Sequence, residues 1–303
     1  MPDVHAEAPR SGRVSLRRVG VAGIRKPLAV QRAERVITLS ARFDVAVDLP
    51  ATRKGSDLSR NAEVLAEIVD ATVTRPVASL ESACSEIADE LLRRHPYAHD
   101  AEVTAQAEYF LLRGISDDRR SYEDFTLLAE ARASRGDNGG APKLVRSIGG
   151  EALGMTACPC AMATSREQLE AEFPLLADPS LKALPIVTHN QRNRTRLQFE
   201  LPPGIEVEAD AVLDAVEAGQ SSPTYAILKR GDEAKVVLNA HRNPKFVEDV
   251  LRSLLTEVVR RFPALPDEVV VRASTVSEES IHKYDVVASH EATLGDLRRQ
   301  LSA

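Results

Sequence analysis

Residues 244–263 read PKFVEDVLRSLLTEVVRRFP. Phe246, Val247, Val250, Leu251, Leu254, Leu255, Val258 and Val259 fall on one wide apolar stripe when wound at the helical period, and Pro263 ends the helix. Downstream, segments 268–276 and 284–290 read as strands. Upstream, a helical segment lies near 210–218, and strand-like segments cover 143–157 and 195–201. The order is strands, then helices, then strands. Earlier in the chain the same order recurs. Residues 19–23 (VGVAG) read as a turn leading into a strand. Phe43, Val45, Val47 and Leu49 alternate within a strand over 35–49. A polar loop from Lys54 to Arg60 follows, in which Asp57 or Ser59 caps a helix over 60–72. A second helix over 79–94 carries Ala83, Ile87 and Leu91 four apart and stops at His95-Pro96. Strands over 101–113 and 122–133 close this half.

Runs of antiparallel strands with paired helices predict an α+β fold. The densest breaker cluster, Arg135-Gly-Asp-Asn-Gly-Gly-Ala-Pro142, sets the boundary between the halves. The expected organisation is a loose, polar segment over 1–15, a first half over 16–137 and a second half over 138–303. The halves share no visible sequence similarity, so the doubling rests on element order alone.

Composition excludes several classes. Of 303 residues, 43% are hydrophobic and 28% charged, enough for an ordinary core. Aromatics make up 4%, Trp is absent and the net charge is −6. A single-strand stacking platform needs exposed rings, and a nucleic-acid backbone binder needs a basic surface. Neither is present, so no nucleic-acid partner is expected. No run of about 18 apolar residues predicts a membrane span. The start of the chain has no apolar stretch of signal-peptide length. Three cysteines, Cys84, Cys158 and Cys160, do not make a disulfide framework. The expectation is a cytoplasmic protein with reduced thiols.

The chemistry concentrates in the second half. Cys158-Pro-Cys160 sets two thiols one residue apart. In an extended segment both sulfurs share a face, and Pro159 stiffens the backbone between them. They read either as soft ligands for zinc or iron(II) or as two small buried hydrophobes. His189 lies in a polar run just before a strand, either as an imidazole ligand or as a solvated loop residue. Arg192, Arg194 and Arg196 suit a triphosphate or a solvated strand face. Glu233 sits in Lys229-Arg-Gly-Asp-Glu233, read as a turn whose alternative is a surface hairpin. Glu248 occupies the first turn of the striped helix, where the helix dipole favours a carboxylate and where it is also able to accept two hydrogen bonds from a guanine edge. Glu279 and His282 are candidates for proton transfer at neutral pH. Cys84 lies within a helical pattern as a packing residue.

Together these segments resemble the type IB GTP cyclohydrolases. The resemblance is carried by Val19-Gly-Val, Ile24-Arg-Lys-Pro27, Lys54-Gly, Leu58-Ser-Arg60, Cys158-Pro-Cys160, His189-Asn-Gln-Arg192, Leu228-Lys-Arg-Gly-Asp-Glu233, Asn243-Pro-Lys-Phe-Val-Glu-Asp249 and Glu279-Ser-Ile-His282. These run in the family's order along nearly the whole chain. Thr156-Ala-Cys-Pro-Cys-Ala161, the long insertion before His189 and Ser221-Ser-Pro-Thr-Tyr225 look closer to the archaeal branch than to the common bacterial one. The resemblance implies tandem tunnelling-fold units whose sheets join into an oligomeric barrel, a homo-oligomer (dimer or tetramer), and active sites at subunit interfaces. It implies Cys158, His189 and Glu233 as ligands of a divalent metal: iron(II), manganese or zinc. Cys158, Cys160, Glu279 and His282 would line the reacting centre. Glu248 would anchor guanine, with Arg192, Lys229 and Arg60 as further substrate-binding residues. The substrates would be GTP and water. The implied chemistry is hydrolysis at C8, loss of C8 as formate, and closure of the rearranged ribose to a dihydroneopterin phosphate. That product is either the triphosphate or, as in the archaeal branch, the 2′,3′-cyclic phosphate, at the first step of pterin and tetrahydrofolate-type biosynthesis.

Two positions depart from the family pattern. Tyr284 stands where many relatives have a second histidine, and Asp57 where histidine is frequent. Three rivals remain: a 6-pyruvoyl-type synthase, which needs a three-histidine zinc site not seen here; a non-catalytic purine- or pterin-binding oligomer of the same fold; and a Cys-x-Cys redox protein, which needs no His189.

Overall fold

The structure is a computed structural model and describes residues 5–7, 12–32, 35–116, 119–136 and 142–302. Residues 1–4 and 8–11 of the expected loose segment lie outside it. So do residues 137–141 of the breaker cluster. Residues 5–7 and 12–15 carry neither helix nor strand. Contacts divide the chain into two compact units that interleave along the sequence. Unit 1 comprises residues 1–109, 126–148 and 200–206, and unit 2 comprises residues 110–125, 149–199 and 207–303.

In unit 1, β1 (Leu16–Gln31) and β2 (Val36–Leu49) form an antiparallel pair, from Val19↔Val47 to Gln31↔Val36. The alternation over 43–49 is real: Phe43, Val45 and Val47 are buried. The 19–23 stretch is not a turn but part of β1. The strand shifts register twice, between Leu16 and Val19 and between Val21 and Ile24, with Gly23 in the second shift and Gly20 paired regularly with Ala46. Gly23 adopts φ +77°, and its N–H donates to Asp44 Oδ1 at 2.7 Å. A bulge of this kind needs the left-handed conformation that glycine adopts freely.

Helices α1 (Leu58–Ala71) and α2 (Leu80–Arg94) belong to the same unit. Helix α1 turns Val64, Leu65 and Val69 inward, and α2 turns Leu80, Ala83, Cys84, Ile87 and Leu91 inward. Ser79 starts α2, its side chain accepting the Ser82 N–H at 3.2 Å. Strands β3 (Asp100–Ser116) and β4 (Arg119–Ser134) continue the order β1-β2-β3-β4. Their distal ends, residues 110–125, belong to unit 2.

His95, just past α2, is wholly buried. Its Nδ1 lies 2.9 Å from the Tyr97 hydroxyl. Burial, aided by the positive charge of Arg60 and Arg53, pushes its pKa down to about 4. The folded state therefore holds a neutral imidazole where the unfolded chain takes up a proton. Stability is complete above the unfolded value near 6.5 and is lost as pH falls toward 4. The loss reaches about 3 kcal/mol. Denaturant midpoints of the wild type should drop across that window. Those of a His95→Gln variant should drop less, and equal slopes would refute the assignment.

Unit 2 holds β5 (Lys143–Ala157) from Gly149 onward, α3 (Pro159–Glu172), two short 3-10 turns (Pro174–Ala177 and Pro179–Leu181) and β6 (Asn190–Leu201) up to Phe199. It continues with α4 (Ala209–Gly219), the short β7 (Ser222–Pro223), α5 (Arg230–Arg242), α6 (Val247–Arg261), β8 (Val270–Glu278), β9 (Val286–Thr293) and α7 (Leu294–Ser302). The strand order is β5-β6-β8-β9, with β7 on β5. Of the eight residues on the expected apolar stripe, Val247, Val250, Leu251, Leu254 and Val258 are buried, Leu255 and Val259 are half-buried, and Phe246 is the exposed N-cap. Helix α6 packs on α4 closely enough that a Cβ at Gly219 would meet Leu254 Cβ at 3.1 Å. Phe199 of β6 and Phe262 lie with ring centroids 4.9 Å apart. The fold is thus α+β with antiparallel sheet pairing.

Three helices were not expected. Helix α3 begins inside the Cys-Pro-Cys segment, so that segment is not extended. Helix α5 begins at Arg230, where a turn was expected. Helix α7 follows the last strand. Among the described residues, no helix is long and apolar enough to cross a membrane.

Candidate active site

The site begins where β5 runs into α3. Proline disfavours helical geometry in the residue before it and suits the first helical position. Cys158 is accordingly extended (φ −73°, ψ 117°) and becomes the N-cap, with Pro159 opening the helix. Its Sγ accepts the Ala161 N–H at 3.4 Å. The Cys158 N–H donates to the His189 carbonyl at 3.1 Å, and the Thr188 hydroxyl donates to the Cys158 carbonyl at 2.8 Å. These bonds bring the two candidate ligands together from opposite ends of the insertion. Cys158 is half-buried, whereas Cys160, two residues on, is exposed.

A cleft of about 220 Å³ opens here, lined by Cys158, His189, Gln191, Lys245, Phe246, Val247, Glu248, Ser277, Glu279, His282, Tyr284 and Val286. All of these residues belong to unit 2. Strand alternation on β6 sends Gln191, Asn193 and Thr195 inward. Gln191 is the hub of the cleft floor. Its Oε1 lies 2.9 Å from His189 Nδ1, and its Nε2 donates to Ser277 Oγ and to Glu279 Oε1, each at 3.2 Å. A carboxylate only accepts, so the amide nitrogen faces Glu279 and the amide oxygen faces His189. His189 must then carry its proton on Nδ1. In the neutral imidazole that tautomer leaves the lone pair on Nε2, the form a metal-ligating histidine needs.

The start of α6 is fixed on the same spot. The Lys245 N–H donates to the Ala157 carbonyl at 3.1 Å, and its Nζ donates to the Gly219 and Gln220 carbonyls at 2.8 and 3.2 Å. Burial pushes the Lys245 pKa down. Glu248, exposed in the first turn of α6, projects into the cleft beside it. Residues 279–285 join β8 to β9 and carry Glu279, His282 and Tyr284. The His282 and Tyr284 rings stack with centroids 4.9 Å apart and planes 9° from parallel.

The other candidates do not line this cleft. Glu233 is exposed on the first turn of α5. That turn is held by its neighbour Asp232, which accepts from the Arg119 guanidinium and from the Lys229 N–H. Among the described residues, no three His, Cys, Asp or Glu side chains gather as a metal site. The trio Cys158, His189 and Glu233 is therefore not assembled within one chain. Lys229 caps α5. Arg192 lies on the exposed face of β6, opposite Gln191. On that face Arg194 pairs with Glu151 at 3.0 Å and Glu278 at 3.3 Å, and Arg196 also pairs with Glu151. Arg60 belongs to unit 1 and pairs with Asp57 at 2.9 Å. A larger cavity of about 500 Å³ in unit 1 is lined by Arg18, Glu102 and Arg132, whose charges already pair at 3.1 and 3.4 Å. It is lined by neither cysteine nor histidine.

Gln191, Ser277 and Lys245 carry no functional signature of their own in the sequence, and Phe246 counts there only toward the apolar stripe. Gln191, Lys245 and Phe246 lie inside motifs quoted there, which was the available signal.

Similarity to known proteins is found at two levels, fold and sequence. The fold is shared with uricases. The uricase from Arthrobacter globiformis aligns with a TM-score of 0.51 at 11% identity, over 92% of this chain and 93% of that one. A hyper-thermostable AgUricase mutant aligns at 0.53 and 10% identity, over 91% of each. At such identities only architecture is shared. Sequence is more specific: the family described as type I GTP cyclohydrolase folE2 matches residues 1–288. GTP cyclohydrolase MptA of Methanosarcina mazei is 40% identical over 312 aligned residues, spanning 100% of this chain and 98% of its own. That of Methanothermobacter thermautotrophicus is 36% identical over 307, spanning 99% and 96%. The chain belongs to the type I GTP cyclohydrolase family.

Proposed function

We propose that this chain hydrolyses GTP at C8, releases formate and forms a dihydroneopterin phosphate, as a type IB enzyme of the archaeal branch. The observation that carries the reading is the convergence of Cys158, His189, Glu248, Glu279 and His282 on one cleft. Glu248 accepts two hydrogen bonds from the guanine edge and so orients the purine. His282, held by its stack on Tyr284, and Glu279 move protons as water adds at C8 and the C8–N9 bond opens to a formamide on N7, and again as a second water cleaves C8–N7 and releases C8 as formate. Cys160, exposed on α3, acts at the edge of the reacting centre. The 2′,3′-cyclic phosphate is the proposed product, on the strength of the archaeal-like insertion before His189.

The donor set suits a divalent metal. Cys158 offers sulfur, His189 an Nε2 lone pair and Glu233 a carboxylate oxygen, a combination that iron(II), manganese and zinc all accept. Such an ion supplies activated water for attack at C8. Because Glu233 lies outside the cleft of its own chain, it comes from a second subunit. The tunnelling-fold units would then assemble as a homo-oligomeric barrel with active sites at the interfaces. The cleft's size agrees, since about 220 Å³ falls short of the roughly 300–1,000 Å³ of a complete ligand pocket. Lys229, Arg192 and Arg60 are the proposed phosphate contacts from outside the cleft.

The deciding experiment is anaerobic purification followed by incubation with GTP and iron(II), manganese or zinc. Formate and a fluorescent oxidised pterin are expected, and mass spectrometry of the product should find the cyclic phosphate. Neither formate nor pterin under any of the three metals would end the cyclohydrolase reading.

A further inference from the structure

We infer that Gln191 is a positioning residue that sets the working state of two functional side chains at once. The inference rests on the cyclohydrolase reading, in which His189 is a metal ligand and Glu279 handles protons. Gln191 is buried, so an unpaired amide there is costly, and its two ends are spent on different partners. The oxygen end holds the His189 Nδ1 proton at 2.9 Å. The nitrogen end holds Glu279 Oε1 at 3.2 Å. The alternatives for His189 are weaker. Ser280 Oγ stands 3.4 Å from Nδ1, and Glu279 Oε2 stands 3.8 Å away, beyond hydrogen-bond range. The acceptor-only carboxylate of Glu279 fixes which way the amide faces; Ser277 Oγ also accepts from Gln191 Nε2 at 3.2 Å and is itself 3.3 Å from Thr156 Oγ1, two residues before Cys158. One neutral amide thus selects the tautomer of the ligand and the orientation of the acid–base group.

The two ends are separable by substitution. Gln191→Met removes both bonds. Gln191→Glu keeps an acceptor for His189 but loses the donor to Glu279. The test loads the full-length protein with cobalt(II) and follows its affinity by chelator competition and its visible spectrum, alongside kinetics on GTP. For Gln191→Met, metal affinity should fall about 10- to 100-fold, the loss usual for an outer partner of a ligating histidine, with altered ligand-field bands and the Cys158-to-cobalt charge-transfer band retained. Gln191→Glu should hold the metal within about threefold of wild type while kcat falls about tenfold or more at little-changed KM. Far-UV circular dichroism checks the fold of each variant. If Gln191→Met does not fold, Gln191→Glu carries the test alone. Wild-type affinity and spectrum in a folded Gln191→Met variant, or full kcat in Gln191→Glu, would overturn the inference. A wild-type protein that binds no cobalt would instead remove the metal site itself, and the inference with it.

Discussion

Replacing Glu248 by alanine should lower kcat/KM for GTP by about a thousandfold. Two charge-assisted hydrogen bonds are at stake, each worth about 1.5–3 kcal/mol, and the guanine edge would be left without partners in a part-closed cleft. The carboxylate sits in the first turn of α6, and that helix start is tied through the Lys245 N–H to the residue before Cys158. The loss should therefore come from the substrate, with little change in metal content. Steady-state kinetics with GTP and with inosine triphosphate, which lacks the 2-amino group, provide the check. The wild type should discriminate strongly between them, whereas Glu248→Ala should not. Unchanged discrimination would assign guanine recognition elsewhere.

The second large effect is a rescue. Cys158→Ala and Glu233→Gln should each be nearly inactive as pure proteins. Mixed, dissociated and reassembled, they should recover about a quarter of wild-type activity, because in a symmetric dimer half the species are hybrids with one intact site each. The exposed position of Glu233 on α5, apart from Cys158 and His189, is what makes this outcome expected. No recovery, under conditions where hybrids form, would mean that both residues serve the same chain's site or that Glu233 is no ligand.

The residues legible in the sequence were those whose burial follows a period. Phe43, Val45 and Val47 alternate because one face of β2 is buried. Val250, Leu254 and Val258 recur because one stripe of α6 is. Helices α3 and α5 escaped because they bury so little. Helix α3 has no buried residue at all, and α5 buries only Asp232, Val236 and Ala240, so neither leaves an apolar rhythm. The Cys-Pro-Cys segment misled for a related reason. Pro159 reads equally as a stiffener of extended chain and as the opening of a helix, and cysteine is not among the usual caps. The cleft was legible as a collection of motifs, but its organising residue was not. Gln191 neither titrates nor ligates, so its place in His189-Asn-Gln-Arg192 marks it without giving it a role.

The terminal strands of the two units differ in a way that bears on assembly and solubility. Strand β9 runs against β8 through eight unbroken pairs, from Val270↔Thr293 to Ser277↔Val286, and offers a straight outer ladder. Strand β1 shifts register twice, so its free backbone groups are spaced unevenly. A regular ladder accepts any extended peptide, which is how sheet edges seed aggregation. An interrupted ladder accepts only a partner with matching interruptions. The register shift at Gly23 thus makes β1 a poorer template for an added strand than the regular ladder of β9.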